Sequence, residues 1–112
     1  MPHIIIEYSQ NLAPQIDIPG FLSELHATLG EQDDIEPARI KTRAIPLHDV
    51  VIGKNAADGR MIHITLLLLE GRDAPTKQRY GRGLHAIAKN IAPDDCAVTL
   101  EIRDMMRECY IL

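Results

Sequence analysis

The chain has 112 residues and a mass of 12.5 kDa; 46% of it is hydrophobic and 25% charged, with a formal net charge of −4 and a pI of about 5.7. That size holds one domain with a modest core, and one Phe, three Tyr and no Trp make the core aliphatic. The acidic balance argues against a nucleic-acid partner, which needs a basic surface to displace counterions, yet a local cluster of cations can still hold an anionic small molecule.

From the amino terminus, Met1-Pro2 leads into His3–Tyr8, an Ile-rich run that reads as a buried strand. Asp17 is placed to cap a helix with Pro19 in its first turn. Ile18, Phe21, Leu22, Leu25 and Leu29 keep the helical period there, and Gly30 suits the C′ position. Arg39–Leu47 alternates like a strand, with Ile40, Thr42 and Ala44 on one face and Arg39, Lys41 and Arg43 on the other. A polar connector, Gly53–Arg60, carries Asn55 and the turn signal Asp58-Gly59. Met61–Leu69 reads as a strand buried on both faces. Asp73 can cap a second helix, with Pro75 in its first turn and Tyr80, Leu84, Ile87, Ala88 and Ile91 as its apolar stripe. Gly81 and Gly83 weaken that helix by roughly 1 kcal/mol each relative to Ala, which suggests close packing against a neighbour. Ala97–Arg103 closes the series as a strand with Val98, Leu100 and Ile102 inward.

The chain is thus written twice, over about residues 2–52 and 61–104. Met1-Pro2-His3-Ile4 is echoed by Met61-Ile62-His63-Ile64, and Leu25-His26-Ala27 by Leu84-His85-Ala86, in the same order and at nearly the same offset. Strand–helix–strand units need parallel strands and right-handed crossovers. Two of them side by side give an α+β fold: a four-stranded mixed sheet with both helices on one face. The other sheet face is left partly apolar, and the chain has nothing to cover it except another copy of itself. The apolar tail from Met105 to Leu112 can reach a neighbour.

Cys96 and Cys109 are the only cysteines, and no segment resembles a secretory leader, so reduced thiols in the cytoplasm are expected. Met61–Leu69 is too short to span a bilayer, which removes the membrane as a partner. The five histidines show no metal-ligand spacing, and neither a metal nor a cofactor is expected.

Several stretches resemble the tautomerase superfamily, and within it the 5-carboxymethyl-2-hydroxymuconate Δ-isomerase family. They are Pro2-His3-Ile4-Ile5-Ile6-Glu7, Ile18-Pro19-Gly20, Thr28-Leu29, Ile40-Lys41-Thr42-Arg43, His63-Ile64-Thr65-Leu66 and Gly71-Arg72. The last third of the chain matches in pattern more than in identity. The resemblance implies a homotrimer of chains that begin at the proline. It also implies isomerisation of an unsaturated di- or tricarboxylic enol in bacterial aromatic catabolism. Pro2 falls on the family's catalytic proline, Arg72 on an arginine after the third strand, and Lys41 and Arg43 on its paired basic positions. Lys41 departs from the expected arginine, keeping the charge but losing the bidentate fork that matches a carboxylate.

Pro2 can act as a general base only with Met1 removed, because its nitrogen is otherwise an amide. In an apolar pocket beside cations, desolvation and repulsion disfavour the protonated amine and lower its pKa. A base poised near neutrality can then take a proton from one atom and return it to another. Each assignment has a plainer competitor. Pro2 can simply open an edge strand, Arg39, Lys41 and Arg43 can form a solvated face, and Arg72 can be a surface loop charge. His3 and His63, at equivalent positions of the two halves, read as structural; Tyr8 and Phe21 read as packing residues. Two readings compete with the leading one: a tautomerase acting on another enol or keto acid, and a non-catalytic trimeric binding or scaffold protein that retains Met1.

Overall fold

The computed structural model describes residues 1–54 and 58–112, so Asn55 of the polar connector lies outside the described residues. Its elements run β1 (His3–Ser9), α1 (Ile18–Gly30), β2 (Lys41–Leu47), β3 (Arg60–Leu69), α2 (Ala74–Ile91) and β4 (Cys96–Met105), with short 3-10 turns at Gln10–Leu12, Pro37–Arg39 and Arg107–Cys109. The sheet order is β2-β1-β3-β4. Strands β1 and β2 are parallel, as are β3 and β4, while the central pair β1 and β3 is antiparallel. Among the described residues no helix is long and apolar enough to cross a membrane.

Period-two alternation decides which side chains meet the helices. Ile4 and Ile6 of β1 and Ile62, Ile64, Leu66 and Leu68 of β3 are essentially inaccessible, and they pack with Phe21, Leu25 and Leu29 of α1 and Tyr80, Leu84 and Ala88 of α2. Val98, Leu100 and Ile102 extend this core from β4. Both helices start as read: Asp17 accepts from the Gly20 N–H and Asp73 from the Thr76 N–H, each with a proline in the first turn. The repeated histidines bind each helix to the outer strand of its own half. His26 Nδ1 lies 2.7 Å from Thr42 Oγ1, and His85 Nε2 lies 3.1 Å from the Val98 carbonyl.

Four local expectations are corrected. Strand β2 begins at Lys41, and Arg39 belongs to the preceding 3-10 turn opened by Pro37. Only Lys41 and Arg43 therefore share the strand face. Gly30 is the last helical residue rather than C′; Glu31 follows in αR geometry, so the left-handed conformation that would require glycine is not used. In the single chain β3 is buried on one face only, since Met61, His63, Thr65, Leu67 and Leu69 remain half-exposed. Of the two helix glycines, Gly81 lies against β4, where an added Cβ would stand 2.8 Å from Ile102 Cδ1, but Gly83 has only Thr28 Cγ2 at 3.9 Å.

Candidate active site

The amino terminus enters the fold at the end of the sheet where β1 and β2 begin and β3 ends. Pro2 is buried, and its carbonyl accepts from the Lys41 N–H at 3.0 Å, the first rung joining β1 to β2. Parallel register then sets His3 opposite Lys41 and Ile5 opposite Arg43, while the antiparallel neighbour brings Leu67 opposite His3. A cleft of about 250 Å³ opens here, lined by Met1, Arg39, Leu69, Arg107, Tyr110 and Leu112.

Electrostatics at this end are unlike the acidic whole. Partial burial, then the charges of Arg39, Lys41 and Arg72, hold the terminal amine below the usual α-amino range. Lys41 donates from Nζ to the Arg39 carbonyl at 3.1 Å, which keeps its ammonium near the strand entry.

Arg72 follows the Gly71 turn, whose φ of 122° lies in the region that favours glycine. Its guanidinium is held from three sides. Nε donates to Asp34 Oδ2 at 3.2 Å, Nη2 to the Asp34 carbonyl at 3.2 Å, and Nη1 to the Leu69 carbonyl at 3.5 Å. Asp34 also accepts from the Tyr80 hydroxyl. That bond, the Asp34 backbone and Arg72 hold the Asp34 carboxyl below its ordinary range, and burial with the Asp34 contact pushes the Tyr80 phenol up. Three of the five guanidinium N–H bonds are used in this way, leaving two to meet a carboxylate.

Arg43 points elsewhere. Its Nη1 is 3.0 Å from His3 Nδ1, and His3 Nε2 is 2.9 Å from the Tyr110 hydroxyl. Burial, Arg43, Lys41 and the terminal amine all lower the His3 pKa, so the ring is neutral at physiological pH. The structure thus gathers Lys41 and Arg72 about the amino terminus with Arg39, while Arg43 reaches it through His3.

Asp34 and Arg107 carry no local signal in the sequence, and Tyr80 and Tyr110 read there only as part of the α2 stripe and of the apolar tail. Arg107 arrives because its N–H donates to Glu70 Oε2 at 2.7 Å and its Nη2 to the Glu70 carbonyl at 3.2 Å, folding the tail back over the end of β3. Larger clefts lie elsewhere, among them one of about 450 Å³ between α2 and β4, one of about 480 Å³ beside the start of α1, and two of about 370 and 310 Å³ around His48 past the end of β2. The second is lined by Asp17 and Glu24 and is unsuited to an anion. The first holds Arg82 and His85 but shares no lining residue with the cleft at the amino terminus. The smaller cleft has the chemistry.

A family model described as 5-carboxymethyl-2-hydroxymuconate isomerase matches residues 2–110. The chain is 28% identical over 89 residues to a 5-carboxymethyl-2-hydroxymuconate Delta-isomerase of Escherichia coli, covering 80% of this chain and 71% of that protein. Its fold is similar to that of a 5-carboxymethyl-2-hydroxymuconate isomerase from Deinococcus radiodurans R1, with a TM-score of 0.85 at 24% identity over 99% of this chain and 87% of the other. It is also similar to a fused 4-OT protein described as a symmetric trimer, with a TM-score of 0.73 at 18% identity over 94% and 86% of the two chains.

Proposed function

Because the chain belongs to the 5-carboxymethyl-2-hydroxymuconate isomerase family, we propose that this isomerase shifts a proton along an unsaturated enol–keto di- or tricarboxylic acid, with Pro2 as its general base. The observation that carries the reading is the position of the amino terminus, in a cleft where burial and Arg39, Lys41 and Arg72 disfavour its protonated form. Once Met1 is removed, the Pro2 nitrogen becomes a secondary amine one residue from that point. It takes the enol hydroxyl proton, the electron pair spreads over the conjugated chain as a dienolate, and the prolinium returns the proton to a carbon. Atoms and charge balance within one molecule of substrate, and the reaction calls for no cofactor. Arg72 and Lys41 are assigned to substrate carboxylates or to the oxygen that gains charge. Arg43 lies at the edge of the same site.

A homotrimer completes the picture. One protomer leaves Ile45, Met106, Ile111 and Leu112 exposed, the last two about nine-tenths so. The open sheet face and a cleft below the usual ligand-pocket size of roughly 300–1,000 Å³ also call for a neighbour. The trimeric description of a structural relative supports this assembly. Cys96 and Cys109, both free thiols, suit a reducing compartment such as the cytoplasm. The single ammonium of Lys41, in place of a forked guanidinium, favours a related enol acid as the alternative substrate.

Intact mass joined to an ultraviolet assay over a panel of enol acids tests the reading. It expects loss of one methionine and turnover of 5-carboxymethyl-2-hydroxymuconate or a close relative. Uniformly retained Met1 in protein from a bacterial host, with no turnover, would leave a non-catalytic trimeric binding protein in its place.

A further inference from the structure

The proton positions around His3 follow from donor and acceptor chemistry. A guanidinium only donates, so the 3.0 Å contact between Arg43 Nη1 and His3 Nδ1 makes Nδ1 the acceptor. The neutral imidazole then carries its hydrogen on Nε2, and that hydrogen is donated to the Tyr110 oxygen 2.9 Å away. A doubly protonated ring would set an N–H against the Arg43 N–H, and Arg43, Lys41 and the terminal amine all oppose the added charge. The Tyr110 ring meets His3 edge-on, with centroids 5.9 Å apart and planes at 72°.

Tyr110 accepts at this contact and cannot also donate through it, because Nε2 has no free lone pair. Among the described residues no acceptor within the chain is recorded for its O–H. The same residue lines the cleft that holds Met1, Arg39 and Arg107. We propose that the Tyr110 hydroxyl donates a hydrogen bond to the substrate oxygen on which negative charge grows, with His3 as the positioning residue that turns that hydrogen into the cleft. No proton is transferred from Tyr110; the O–H shortens its contact as charge develops and relaxes when the proton is returned to carbon. This inference rests on the reading of the cleft as the site served by Pro2.

The test compares the wild-type protein with Tyr110→Phe, His3→Gln and His3→Leu, using 5-carboxymethyl-2-hydroxymuconate as substrate and nitrogen NMR of the histidines. Removing one donor to a developing oxyanion costs about 10²–10³-fold in kcat in buried sites. At this partly open cleft Tyr110→Phe is expected to lose roughly 10–100-fold in kcat with KM changed by less than about threefold. His3→Gln keeps an acceptor for Arg43 and a donor for Tyr110 and should retain most activity, whereas His3→Leu should fall with Tyr110→Phe. In the wild type, His3 should carry its proton on Nε2. Wild-type kcat in Tyr110→Phe, equal losses in the two His3 variants, or an Nδ1-protonated His3 would each overturn the proposal. The NMR readout needs no variant to fold. Failure of the Pro2 reading is recognised separately, as full activity in protein with a blocked amino terminus.

Discussion

Helix α2 contains two glycines, Gly81 and Gly83, and they should answer differently to the same substitution. Gly83 is exposed, and an added methyl would meet only Thr28 Cγ2 at 3.9 Å, ordinary van der Waals contact. Gly83→Ala therefore recovers the helix-propensity difference of about 0.8–1 kcal/mol with nothing set against it. Gly81 is buried, and the same methyl would stand 2.8 Å from Ile102 Cδ1 and 3.0 Å from Leu100 Cδ2. The propensity gain is unchanged, but overpacking costs typically about 1–3 kcal/mol. Both offending atoms are side-chain ends on a half-buried strand, so the lower part of that range applies and the net effect lies between zero and about 1 kcal/mol of destabilisation. Thermal unfolding at equal protomer concentration separates the two, with Gly83→Ala raising Tm by roughly 3–6 °C and Gly81→Ala lowering it or leaving it unchanged. A Tm gain for Gly81→Ala equal to that of Gly83→Ala would refute the close approach of α2 to β4.

Arg72→Ala should lower kcat/KM by about 10–100-fold, with the KM-to-kcat split telling ground-state binding from transition-state stabilisation. Its effect on stability should stay within about 1 kcal/mol, because Asp34, its ion-pair partner, has a side chain 51% exposed. Asp34 has a depressed folded-state pKa, so its contribution to stability is present above the unfolded value and lost as pH falls through the folded one. Asp34→Asn should therefore flatten the acid limb of a stability–pH curve and loosen Arg72, lowering activity at neutral pH; an unchanged acid limb would contradict the pairing. Lys41→Arg should be neutral or mildly beneficial in steady-state kinetics if a carboxylate sits there, and a large loss would mean that the ammonium does something a guanidinium cannot.

Much of the architecture was legible because period and caps agree. Asp17 and Asp73, each followed by proline and an apolar stripe, announce both helices, and the echo of Leu-His-Ala marks the two residues that tie helix to outer strand. Arg39 reads as part of the strand because its alternation with Lys41 and Arg43 continues unbroken through the 3-10 turn that Pro37 starts. The run Met61–Leu69 reads as two-sided from composition alone, while the single chain covers only the face that meets the helices. At the site, Lys41 and Arg72 could be named from motif matches, but their partners could not. Asp34 meets Tyr80 and Arg72 across the fold, and Tyr110 meets His3 from the far end of the chain. No periodicity encodes contacts of that sequence separation.

The central claim is that a neutral amine at the amino terminus, held low by burial and by the cations around it, is the base. Its most direct test is the pH dependence of kcat/KM for protein beginning at Pro2, measured alongside Arg39→Ala. Activity should rise with pH through one apparent pKa below that of a free proline amine and then level off, since only the neutral form accepts a proton. Removing the Arg39 charge makes the protonated amine easier to hold, so the rising limb should move to higher pH. A limb that stays at the same pH in Arg39→Ala, and persists when the amino terminus is blocked, would place the base on another residue.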